Sequence, residues 1–72
     1  MTALAAAIDT ATVTCKEYNA GSHQVMVDIN AALYQATRND AKLGALSEYQ
    51  FIQAVDDVCA AKPESKVIDA LH

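Results

Sequence analysis

The side chains of this chain that could do covalent or acid–base chemistry are two cysteines, two histidines and an adjacent pair of carboxylates, Asp56 and Asp57. Cys15 sits just inside a capping box in which Thr14 is followed three residues later by Glu17. Cys59 falls near the end of the helix that Ser47 opens, on its apolar side. Joining the two would tie the first helical turn to the end of the central helix. Both positions are apolar, however, so a disulfide and two buried thiols satisfy the pattern equally. His23 lies near a predicted helix start and His72 at the end of the chain. A reactive Cys15–His23 pair is conceivable, but nothing in the spacing demands one, and a solvated histidine is the simpler reading. Acid–base work by Asp56 and Asp57 needs a cleft that shifts their pKa values, whereas the outer face of a helix leaves them solvated. No nucleophile elbow, phosphate loop or zinc spacing occurs, so neither an enzymatic activity nor a cofactor is expected.

Four helices must position these residues. Residues 1–13 carry little pattern and are expected to be loosely held. Within them, Leu4-Ala5-Ala6-Ala7 before Ile8-Asp9 looks like the small-residue end of a secretory signal, and an alanine-rich frayed helix is the bland alternative. Thr14 then caps a short helix that Gly21 ends, a residue able to take the left-handed conformation. Ser22 opens the longest helix, to about Arg38, with Val25, Ile29, Ala32, Leu33 and Ala36 as its inner stripe. Met26 on its flank and Val27 and Tyr34 on its back form a second apolar edge. Scattered exposed apolar residues need no function, but aligned ones suit a subunit contact. The link 39–46 contains Gly44 and returns Leu43 and Leu46 toward the core.

The stretch Ser47 to Pro63 organises the rest. Ser47 and Gln50 make a second capping box, and Pro63 breaks the helix. Phe51, Ile52, Val55, Val58 and Cys59 share one side, while Tyr49, Gln53, Asp56 and Asp57 take the other. Pro63 then suits the first position of a last helix carrying Val67, Ile68 and Leu71. The sum is a small single-domain all-α bundle.

At 72 residues and 53% hydrophobic, one small domain is all the chain can build, and such a domain usually needs a staple or a partner subunit. A net charge of −4 without a basic cluster argues against nucleic acid. No run approaches the roughly 18 apolar residues of a membrane span, so no membrane insertion is expected.

Thr14-Cys15-Lys16-Glu17-Tyr18 and Cys59-Ala60-Ala61-Lys62-Pro63, with cysteines 44 positions apart, resemble the HdeA/HdeB family of periplasmic acid-stress chaperones. The likeness covers about residues 13 to 71 and makes 14–72 the family-like domain. It implies export to the periplasm, one disulfide between Cys15 and Cys59, and a homodimer near neutral pH. It also implies that strong acid dissociates and partly unfolds the protein, which then binds unfolded client proteins without ATP or cofactor. On this chain the dimer contact falls on Met26, Val27, Tyr34, Leu43 and Leu46. The client-binding stripe falls on Ile29, Leu33, Phe51 and Val55. The chain departs from some members in having no lysine-rich tail. Near pH 2 the nine carboxylates are neutral, and five Lys and Arg with two histidines take the side-chain charge from −4 to +7. Two other readings stand beside this one: a family-like partner-binding module without chaperone activity, and a cytosolic adaptor with two reduced cysteines.

Overall fold

The structure is a computed structural model and describes residues 8–72. Residues 1–7, on which most of the expected signal remnant falls, lie outside the described residues. Helix α1 is Cys15–Ala20, α2 His23–Ala36, α3 Glu48–Ala61 and α4 Val67–Leu71, with a 3-10 turn Leu43–Ala45 in the link before α3. Among the described residues the fold is all-α, with an isolated bridge between Thr14 and Lys66 its one β-type pairing.

The caps form as the sequence implies. Thr14 and Glu17 satisfy each other's backbone donors at the start of α1, and Ser47 and Gln50 do so at α3. Ser22 accepts from Val25 N–H at the start of α2. Helices α2 and α3 are each 14 residues, so α2 is not the longest element. Its inward stripe is also turned about one position from the expected one. Ile29, Asn30, Leu33 and Thr37 are buried, while Val25, 41% exposed, and Ala36 face outward. Two polar residues hold core positions because each has an internal partner: Asn30 bonds Tyr18, and Thr37 Oγ1 donates to Leu33 O at 2.9 Å.

Gly21 ends α1 in an extended conformation, φ −77°, not the left-handed one. Space is what calls for glycine there, since a Cβ would stand 2.7 Å from Val25 Cγ1. The last helix also starts later than Pro63. Cys15 N–H donates to Ser65 O and Val67 N–H to Val13 O, each at 2.9 Å, which holds 65–66 extended beside 13–15. Val67 thus becomes the first helical residue, and its otherwise orphaned amide is satisfied. The same pairing draws Val13 into the core, so the stretch expected to be loose up to residue 13 is buried at its end.

The core collects Cys15 and Tyr18 from α1, Ile29 and Leu33 from α2, Phe51, Val55 and Cys59 from α3, and Val67 and Leu71 from α4. In the α2–α3 link, Asp40 Oδ1 accepts from the N–H groups of Lys42 and Leu43, both at 2.8 Å. Arg38 closes the same link by donating to Tyr34 O, Gly44 O and Leu43 O. Its guanidinium also lies over the Tyr34 ring, 3.4 Å from the centroid.

Candidate functional site: the α1–α3 joint and the cleft beside it

The joint starts from antiparallel packing of α1 against the end of α3. Cys15, in the first turn of α1, is bonded to Cys59, in the last turn of α3, with Cα atoms 4.9 Å apart. The pairing rules out the reading with two reduced cysteines, and it leaves no thiol to pair with His23. One turn along α1, Tyr18 Oη donates to Asp56 Oδ1 at 2.5 Å and accepts from Asn30 Nδ2 at 3.0 Å. Asn19 Nδ2 donates to Cys59 O at 3.2 Å, capping a carbonyl at the end of α3. Burial first, and then the Asp56 carboxylate, push the Tyr18 phenol up to about 12. Asp56 was expected on a purely solvated face; it is exposed, but it also anchors α1.

Beside the joint, α2 and α3 leave a cleft of about 280 Å³. Met26, Val27, Ala31 and Ile52 form its apolar lining, Glu48 and Asp56 contribute carboxylates and His23 an imidazole, and Tyr18 and Asn30 line it next to Asp56. Asn30 is 6% exposed, and its Oδ1 is buried with no hydrogen-bond partner. Sequence reasoning missed Asn30 because a polar residue inside an apolar stripe carries no signal until its partner, Tyr18, is known.

The residues expected at a dimer surface are not brought together as one. Leu43, 2% exposed, is a core residue, because the Asp40 cap folds its turn inward. Tyr34 packs edge-on against Phe51 with centroids 5.6 Å apart, and Met26 and Leu46 pack partly buried against the core. Val27, 44% exposed, remains open. The expected client-binding residues Ile29, Leu33, Phe51 and Val55 do come together, buried in the core.

A second polar joint ties the end of α4 to the α2–α3 link. His72 Nε2 stands 2.7 Å from Asp40 Oδ2, and its Nδ1 3.0 Å from Ile68 O. Leu43 N–H and the His72 hydrogen bond hold the Asp40 carboxyl down at about 2, and the Asp40 bond raises the His72 imidazole. Among the described residues no group of three or more His, Cys, Asp or Glu is placed to hold a metal ion. No described helix is long and apolar enough to cross a membrane. No family model, curated protein or solved structure matches the chain.

Proposed function

We propose that the chain is an ATP-independent acid-stress chaperone of the HdeA/HdeB type, exported to the periplasm and homodimeric near neutral pH. In strong acid it opens and covers other unfolding proteins. The observation that carries this reading is the way its elements are joined. One joint is covalent, Cys15–Cys59, and suits an oxidising compartment. The polar joints rest on carboxylates: Asp56 takes Tyr18, Glu17 closes the cap of α1, and Asp40 holds both the α2–α3 link and His72. Protonation weakens every one of these as acceptors and leaves the disulfide intact.

Opening in this way frees Ile29, Leu33, Phe51 and Val55, all buried at neutral pH. Each Å² of apolar surface that they then cover on a client is worth roughly 25 cal/mol. The positive charge left on the complex opposes further aggregation. At neutral pH, Val27 is the exposed residue on which the dimer contact is centred. The test is light scattering of an acid-labile protein at about pH 2 to 3 with this chain in modest excess, the range in which carboxylates discharge. Suppressed scattering that disappears after reduction supports the reading. Unchanged scattering from a chain that stays compact and dimeric sinks it.

A second reading, a family-like partner-binding module without chaperone activity, is favoured by the cleft beside Tyr18, which exists in the closed form.

A further inference from the structure

The cleft between α2 and α3 has a pattern that acid opening does not use. Glu48, Ile52 and Asp56 follow one another at four-residue spacing along α3 and all line it. The two carboxylates are therefore about two turns apart, on the order of 12 Å, with an apolar residue between them. Met26, Val27 and Ala31 of α2 line the cleft as well. His23 of α2 lines the cleft too, yet neither Glu48 nor Asp56 forms an ion pair with it, since the ion pair among the described residues is His72 with Asp40. Beside Asp56, the buried Asn30 Oδ1 has no donor, although its own Nδ2 is fixed on Tyr18. A buried acceptor left unmatched costs free energy that a donor arriving from outside recovers.

From this we infer that the cleft is a binding site for an aliphatic diammonium: a methylene chain with a cationic nitrogen at each end. One ammonium sits at Asp56. It has three donors, so it can bond the carboxylate oxygen that Tyr18 leaves free and also supply Asn30 Oδ1. The methylene chain lies along Ile52, Val27 and Ala31, and the second ammonium meets Glu48. Asn30 Oδ1 is sealed from solvent, so the donor enters by moving a lining side chain. Such a site operates in the folded protein at neutral pH and needs no acid opening; it shares Val27 with the dimer contact proposed above, so the diamine and a dimer centred there compete.

The experiment titrates the oxidised protein at pH 7 with hexamethylenediamine, hexylamine and hexanol in parallel, following the Asn30 side-chain amide and the backbone amides of Val27 and Ile52 by NMR. The diamine should give saturable shifts at all three, hexylamine should bind about 5- to 10-fold more weakly, and hexanol should leave Asn30 unmoved. Glu48→Gln and Asp56→Asn should each weaken the diamine by a similar factor. Asp56→Asn keeps an oxygen for Tyr18, and Glu48→Gln changes an exposed side chain in the first turn of α3, so the fold is retained in at least the latter. Three outcomes overturn the inference: no saturable shift with the diamine, hexanol binding as well as the diamine, or unchanged diamine affinity in both variants.

Discussion

Tyr18 and Asp56 repeat the relation between Cys15 and Cys59 one helical turn away: each lies three residues from a cysteine, and their 2.5 Å hydrogen bond ties α1 to α3 alongside the disulfide. The phenol is held neutral, pushed up to about 12 by burial and by Asp56. A raised folded-state value means that its contribution is complete below about pH 10 and is lost as pH rises through about 12. In Asp56→Ala the tyrosinate absorbance of Tyr18 should appear at lower pH, while still above the ordinary tyrosine range because burial remains. Tyr18→Phe leaves Asn30 Nδ2 without its acceptor and should cost about 1–3 kcal/mol in urea unfolding. An alkaline titration identical in wild type and Asp56→Ala would refute the joint.

The disulfide closes a 44-residue separation, for which the chain-entropy model gives roughly 4 kcal/mol. Cys15→Ser or Cys59→Ser should lower stability by about 2–5 kcal/mol, a large share of what a domain this small possesses. Thermal unfolding with and without reductant reads this out. Intact mass should rise by two hydrogens on reduction.

Gly44→Ala should be more damaging than Gly21→Ala. At Gly44 a new Cβ runs into the Arg38 carbonyl oxygen, with Thr37 O also at 3.3 Å, and backbone cannot rotate aside. At Gly21 it meets Val25 Cγ1 at 2.7 Å, so that half-exposed side chain must shift, but the nearest backbone atom, Glu17 O, stands off at 3.2 Å. The first change should cost about 1–3 kcal/mol and disturb the Arg38 clamp, the second less. Equal melting temperatures for the two variants would contradict this.

The elements that were legible in the sequence are those set by local chemistry. Thr14-x-x-Glu17 and Ser47-x-x-Gln50 announce helix starts whatever the rest of the chain does, and both boxes form. Phe51, Val55 and Cys59 also read correctly, because the apolar side of α3 is unbroken by polar residues. The inner face of α2 did not, since periodicity selects apolar residues and so chose Val25 and Ala36 over Asn30 and Thr37. The start of α4 was misplaced for a related reason: Pro63 is a sound local signal, but pairing with Val13 and Cys15, some fifty residues away, overrides it. Of the site, the cysteines could be singled out, whereas the Asn30–Tyr18–Asp56 chain depends wholly on long-range placement.

If the protein self-associates near neutral pH through its open apolar residue, Val27→Asp should weaken the dimer and leave helix content nearly unchanged. Val27 is 44% exposed and is not a core residue, so the substitution does not attack the fold. Leu43→Asp, by contrast, places a charge in the core and should unfold the chain. Sedimentation of wild type and Val27→Asp at high concentration distinguishes these. A wild-type monomer would remove the dimer.

The Asp40–His72 contact should give α4 a stability that falls on both sides of a mildly acidic window. Asp40 is held at about 2, chiefly by Leu43 N–H and then by His72, so its contribution is present above about pH 4 and is lost as pH falls through about 2. His72 is raised by Asp40 first and by the Ile68 carbonyl next, so its contribution is present below about pH 6.5 and fades as pH rises through the folded-state value. The two limbs separate by mutation. His72→Gln should abolish the alkaline limb but keep much of the acid one, because Asp40 still accepts from Leu43 and Lys42 N–H. Asp40→Asn should remove both limbs. Hydrogen exchange of the amides of Ala70 and Leu71, corrected for intrinsic rates and followed across pH, measures the effect. Protection in His72→Gln that tracks wild type at every pH would show that the contact does not hold α4, and acid opening would then have to begin at Asp56.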